Sequence, residues 1–147
     1  MHAKGTVQPA QLTCLVDTTI GRVTAGLHPA AGGSGELACS GDMLLQALVA
    51  CSGVTLSAVA TAMGIEIRSA NITAQADMDF RGTLGIDKSV PVGITSLRLN
   101  FEFDSPAEDV QLKKLVELTE RYCVVLQTLA HSADQPAALS TSYKRVH

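Results

Sequence analysis

The chain reads as a single α+β domain: an antiparallel sheet packed with one long buried central helix and a second, amphipathic helix. Three observations predict this. Between Met43 and Met63 no residue is charged, and the only polar side chains are Gln46, Ser52, Thr55, Ser57 and Thr61. After Gly64 the apolar pattern changes to a period of two, as half-buried strands require. At Ser105-Pro106-Ala107-Glu108 a helix start signal opens a new apolar stripe at helical spacing.

The central helix spans Ser40–Gly64. Ser40 is its expected cap, Asp42 suits the positive end of the helix dipole, and Gly64 offers a left-handed stop. About twenty residues give a rod roughly 30 Å long. That length and apolarity reach those of a membrane span. However, Ala, Gly, Ser and Thr make up much of the run, no Lys or Arg flanks it closely, and the remainder reads as a soluble domain. The reading is therefore a helix buried in a soluble fold. A chain of 147 residues has little material to surround such a helix, so a second copy is expected to cover part of it in an obligate homodimer.

Composition narrows the function. One domain, residues 1–147, fits the length. A net charge of -3 and a pI near 5.7 leave no basic footprint for nucleic acid, and aromatics are 3% of residues with no Trp. The amino end MHAKGTVQPAQL has no apolar signal core, which predicts a cytoplasmic protein with reduced thiols and no membrane partner. Cys14, Cys39, Cys51 and Cys123 have no CxxC spacing, and His2, His28, His131 and His147 form no ligand pattern with them. Neither a metal nor a cofactor is expected.

In chain order, Ala10–Val16 and Gly21–Ala25 predict an amino-terminal hairpin with its turn at Asp17–Gly21. The small, glycine-rich stretch 28–35 leads into the central helix. Residues 65–68 alternate, 70–80 continue the alternation with Ile72, Ala74, Ala76 and Met78 on one face, and 92–103 alternate through Ile94, Leu97, Leu99, Phe101 and Phe103. Residues 81–91 form the loop between these strands. From the Ser105 cap a helix is expected to run to about Leu129, its stripe made by Leu112, Leu115, Val116, Leu118, Tyr122, Val125, Leu126 and Leu129, with Cys123 on the apolar side. A last short strand is read over Ala138–Tyr143, before a basic tail.

Cys51 and Cys123 are the two thiols on strongly predicted helices. The residues alone leave two readings. Desolvation by Leu44, Ala47, Leu48, Val54, Thr55 and Ala58 would raise the Cys51 pKa and keep it an inert core residue. A reactive Cys51 needs a cation to hold its thiolate and a second thiol within disulfide reach.

The sequence resembles the OsmC/Ohr family of organic hydroperoxide-reducing proteins. The residues that carry the resemblance are GDMLLQALVACSGVTL (41–56), RYCVVLQTL (121–129), the strand segment RGTLGI…VPVGITSLRL (81–99), and the Gly-Arg turn IGR (20–22). The resemblance implies an intertwined homodimer and a thiol peroxidase. In it Cys51 is the peroxidatic thiolate, Cys123 resolves its sulfenic acid as a disulfide, and Arg22 lowers the Cys51 pKa and polarises the peroxide. A carboxylate, Asp42 or alternatively Glu36, orients the guanidinium. An organic hydroperoxide substrate and a dithiol or lipoylated-protein reductant are the implied partners. No Lys or Arg occurs between residues 23 and 67, so a cation for Cys51 must come through tertiary contact, with Arg22 expected about 4–6 Å away in the same or the partner chain.

Two departures bear on these roles. Asp42 stands where many members have Glu. It lies nine residues before Cys51, so on an unbroken helix the two face opposite ways. It then serves only if the helix starts late, bends near Gly53, or acts across the dimer. Val124 follows Cys123 where many members have Pro. Arg121, Cys14, Cys39 and His28 are read as surface or packing residues. A non-catalytic binder of a small apolar ligand and a redox sensor are the alternative functions.

Overall fold

The computed structural model describes residues 2–131 and 138–145. It is α+β, with two sheets rather than one. The first is built from β1 (Lys4–Gln8), β2 (Thr13–Thr18), β3 (Gly21–Gly26) and β4 (Ala38–Cys39), in that spatial order. β1, β2 and β3 form an antiparallel meander, while β4 runs parallel to β3. The expected hairpin is thus present as β2–β3, and residues 4–8 add a strand that the sequence reading did not contain.

α1 (Ser40–Met63) follows without interruption. Its cap is Cys39, not Ser40: the Cys39 sulfur accepts the Asp42 N–H at 3.4 Å. At the other end Gly64 takes the left-handed conformation with φ 66°, and the N–H groups of Gly64 and Ile65 close onto the Thr61 and Ala60 carbonyls. α1 is buried along one stripe only, Leu48, Ser52, Leu56 and Ala60, four residues apart. Val54 on another face is 74% exposed. Within one chain the helix is therefore only partly covered.

The second sheet has the order β5-β6-β7, from β5 (Ser69–Met78), β6 (Ile94–Asp104) and β7 (Ala138–Arg145), with the short α2 (Phe80–Thr83) in the connection between β5 and β6. β5 pairs antiparallel with β6, and β7 pairs parallel with it, so each sheet includes one parallel pair. Residues 65–67 precede the sheet and are not strand. The tail end, Val146 and His147, lies outside the described residues.

β6 supplies the centre of the core. Leu97, Leu99, Phe101 and Phe103 alternate onto one face and are buried against Leu48 and Leu56 of α1 and against the helices that follow. Each such side chain contributes about 1.5–3 kcal/mol on burial.

The predicted helix 105–129 is two helices, α3 (Asp109–Tyr122) and α4 (Val124–Ala130), broken at Cys123. Ser105 does not cap α3. Its hydroxyl bonds the Glu66 carbonyl and accepts the Ala107 N–H, and the cap falls on Glu108, whose N–H is taken by the Gln111 side chain. The buried stripe runs Leu112, Leu115, Val116, Thr119, Cys123 and Leu126, with Tyr122 exposed instead. Thr119 tolerates burial because its hydroxyl bonds the Leu115 carbonyl at 2.8 Å.

Candidate active site

The break at Cys123 builds the site. Cys123 is extended, with φ -72° and ψ 105°, and its N–H still closes onto the Thr119 carbonyl. The first backbone bond of α4 is from Gln127 N–H to the Cys123 carbonyl, so the amides of Val124, Val125 and Leu126 have no partner within their own helix. In a continuous helix those three donors would be consumed by residues 120–122. Here they turn to sulfur. The amides of Val125 and Val124 face the Cys51 thiol, and that of Leu126 faces Cys123. The Gln127 side chain bridges the break, its Nε2 donating to the Glu120 carbonyl at 2.9 Å. The adjacent β-branched Val124 and Val125 are weak helix formers and fit a discontinuity there.

Cys51 and Cys123 face one another, both as free thiols. Cys51 is half-buried and Cys123 fully buried. Their electrostatics differ in sign. The Val125 N–H, opposed by burial and aided by Cys123, Thr55 and the Val124 N–H, draws the Cys51 pKa below the ordinary thiol value. Burial pushes Cys123 up, against the Ser52 hydroxyl and the Leu126 N–H, and a thiolate on Cys51 pushes it further. Cys51 thus gives up its proton more readily than an ordinary thiol, and Cys123 less readily.

Two polar residues of the α1 run also act on the thiols. Thr55 lies one turn beyond Cys51. Ser52, buried beside it, sits 3.4 Å from the Cys123 sulfur. Both stand out as polar in the sequence, but their contacts with sulfur are not legible there.

The structure brings Cys51 and Cys123 together but places Arg22 and Asp42 elsewhere in the chain. Arg22 is on β3, largely exposed, and its Nε donates to Asp17 Oδ1 at 2.8 Å. Its carboxylate partner within the chain is therefore Asp17, directly opposite in the β2–β3 register, and neither Asp42 nor Glu36. Asp42 is exposed near the start of α1, and the unbroken helix turns it to the face opposite Cys51. Among the described residues no cation lowers the Cys51 pKa; the Val125 amide does so chiefly, with Cys123, Thr55 and the Val124 amide. Arg121 lies over the Tyr122 ring at 5.7 Å, Cys14 packs at Gly5 of β1, and Cys39 caps α1.

A cavity of about 540 Å³ opens at the first turn of α1, with Leu44, Phe80, Ile94, Leu97 and Leu129 in its wall; neither Cys51 nor Cys123 lines it. Leu44 is seven residues before Cys51, on the same face and about 10 Å along the axis. His28, expected to be a surface loop residue, stacks on Phe80 with ring centroids 4.8 Å apart and lines the same cavity.

A family model described as OsmC-like protein matches residues 33–135, a span that carries both thiols. The chain belongs to the OsmC-like family. Solved structures agree in fold. An OsmC-like protein from Mycoplasma pneumoniae superposes with a TM-score of 0.81 at 17% identity, covering 99% of this chain and 96% of that one. The organic hydroperoxide resistance protein OsmC of Legionella pneumophila gives 0.75 at 14% identity, over 98% and 97% of the two chains. OhrB of Bacillus subtilis, an organic hydroperoxide resistance protein, gives 0.68 at 17% identity, over 99% and 98%. No curated protein matches the sequence significantly.

The opposite shifts in this OsmC-like chain have a measurable consequence. A lowered pKa populates the Cys51 thiolate at lower pH, whereas a raised one withholds the Cys123 thiolate until higher pH. Alkylation by iodoacetamide between about pH 5 and 10 should therefore label Cys51 first, with its midpoint below that of a free thiol. Cys123 should label last. Peptide mass spectrometry reads both curves.

Proposed function

We propose that the chain is a thiol-dependent peroxidase for organic hydroperoxides. The observation that carries this reading is the Cys51 thiol drawn toward thiolate by the Val125 amide while facing the protonated thiol of Cys123. The Cys51 thiolate attacks the terminal peroxide oxygen; the O–O bond breaks, the alkoxide takes a proton to leave as alcohol, and Cys51 becomes sulfenic acid. Cys123 then displaces hydroxide, which leaves as water with the Cys123 proton, and the disulfide forms. A dithiol, free or on a lipoylated protein, returns both thiols by exchange. The organic hydroperoxide resistance proteins among the structural relatives support the same substrate class.

Assembly as a homodimer completes the proposal. Leu44 and Val54 of α1 are exposed in one chain, as are Val7 of β1 and Leu12 and Ile20 in the turns of the amino-terminal sheet. A second copy laid over α1 would bury its apolar surface and would allow Arg22 of one chain to reach Cys51 of the other. The Arg22 guanidinium uses Nε on Asp17, and its two terminal nitrogens have no bond among the described residues. They are the edge that would meet a thiolate and a peroxide. Sedimentation should give a dimer at micromolar concentration, with a melting temperature that rises with protein concentration. A stable, fully folded monomer would contradict it.

The protein is proposed to act in the cytoplasm, where its thiols stay reduced, without a cofactor and without nucleic-acid or membrane partners. α1 is long and apolar enough to cross a membrane. In the fold its buried stripe instead packs on the β6 core.

The apolar cavity favours a second reading, a non-catalytic carrier of a small apolar ligand. Turnover decides between them. With tert-butyl hydroperoxide and a dithiol, the first reading predicts peroxide loss in catalytic excess over protein. The second predicts none.

A further inference from the structure

Serine and threonine inside helices ordinarily turn back onto their own helix and bond the carbonyl four residues earlier. Several here do so. Ser57 bonds the Gly53 carbonyl, Thr61 that of Ser57, Thr119 that of Leu115 and Thr128 that of Val124. Ser52 does not. Its hydroxyl reaches across to α3–α4 and meets the Cys123 sulfur at 3.4 Å, and this is its one hydrogen bond among the described residues. Both groups are fully buried. A neutral thiol is a weak partner for a buried hydroxyl, and becomes a strong one when the sulfur carries negative charge.

We propose that Ser52 is a positioning residue for the resolving step: its hydroxyl holds the Cys123 sulfur toward Cys51 and donates a hydrogen bond to that sulfur as it attacks. The inference rests on the peroxidase reading above and adds to it the group that serves the second thiol. In that step the Cys123 sulfur bonds the Cys51 sulfur and the S–O bond of the sulfenic acid breaks. Hydroxide leaves and combines with the Cys123 proton as water. Cys123 is oxidised, Cys51 is reduced from the sulfenic level, and no further oxidant enters. Buried Cys123 has few groups to steady its transient negative charge. Besides Ser52, the Leu126 N–H faces it and Cys51 opposes it, and no Lys or Arg is among the groups acting on it. Without the hydroxyl the sulfur would lose both a tether and a donor.

The test is single-turnover oxidation of the parent, Ser52→Ala and Ser52→Thr by one equivalent of tert-butyl hydroperoxide across pH. Dimedone traps the Cys51 sulfenic acid, and mass spectrometry quantifies the Cys51–Cys123 peptide. Alanine fits the space and is the better helix former, so the fold should survive, which a circular dichroism melt checks. Ser52→Ala should oxidise Cys51 at the parental rate but close the disulfide about fivefold more slowly, the rate equivalent of one hydrogen bond. Trapped sulfenic acid should accumulate, and the pH midpoint of closure should move upward. Ser52→Thr, which keeps the hydroxyl, should restore the parental midpoint. Closure by Ser52→Ala at the parental rate and midpoint would overturn the proposal. So would slower closure with an unmoved midpoint and no gain from threonine, which is the signature of packing alone. If the parent itself ignores the hydroperoxide, the peroxidase reading fails separately. The same comparison then runs with diamide, whose adduct on Cys51 is displaced by the same Cys123 sulfur, and a parental closure rate for Ser52→Ala again overturns the role of Ser52.

Discussion

Cys51→Ser should abolish reduction of organic hydroperoxide, with a loss of at least about 10³-fold because an unactivated hydroxyl is a far weaker nucleophile than a thiolate at neutral pH. The variant should fold normally. Cys51 is half-buried, and oxygen for sulfur leaves α1 and its stripe of Leu48, Ser52, Leu56 and Ala60 unchanged. Cys123→Ser should behave differently. It should consume the first equivalent of peroxide at the parental rate and then no longer turn over, because the Cys51 sulfenic acid has no neighbouring thiol to expel its hydroxide. Excess peroxide should carry that sulfur on to sulfinic acid. Stopped-flow peroxide consumption, with intact mass after quenching, separates the two variants. Equal and continuing turnover in both would remove these thiols from the mechanism.

Arg22→Ala should lower the rate of Cys51 oxidation by about tenfold or more, roughly 1.4 kcal/mol or more of activation free energy, and leave the dimer intact. Backbone amides already draw Cys51 toward thiolate within its own chain. On the proposed reading the guanidinium would act chiefly on the peroxide, whose departing oxygen gathers negative charge as the O–O bond breaks. Arg22→Lys should rescue poorly. Arg22 holds Asp17 through Nε while presenting its outer edge, and an ammonium is a point charge that cannot keep that planar fork. Asp17→Asn should weaken the same anchor and slow oxidation to a lesser degree. If Arg22→Ala reacts as fast as the parent, Arg22 has no part in the site.

Much of this was legible in the sequence, for identifiable reasons. The uncharged run in α1 and the alternation Leu97–Leu99–Phe101–Phe103 are direct imprints of burial, and the core formed where they point. Cys51 lies on the first of these, and Cys123 on the apolar stripe of the later helix. The break at Cys123 left no trace in periodicity, because the spacing Leu112, Leu115, Thr119, Cys123, Leu126 continues in phase across it. Its consequence, three amides turned toward sulfur, was therefore invisible too. The cap of α1 was misassigned because sulfur is an uncommon cap acceptor and Ser40 stands beside it. β1 is exposed along nearly its whole length, so no apolar alternation marks it. The parallel pairing of β6 with β7 depends on a distant segment that no local pattern encodes. The Arg22 anchor is a different case. A two-residue turn at Thr19-Ile20 sets Thr18 opposite Gly21 and Asp17 opposite Arg22, a cross-strand ion pair readable from hairpin register.

The most direct test of the account is a thiol count after one equivalent of tert-butyl hydroperoxide is added to the reduced protein without reductant. Of the four cysteines, the account predicts the loss of two per chain for each peroxide consumed. Peptide mapping should find a single disulfide joining Cys51 to Cys123, with Cys14 and Cys39 still free. Four remaining thiols beside unconsumed peroxide, or a disulfide that includes Cys14 or Cys39 in place of this pair, would contradict it.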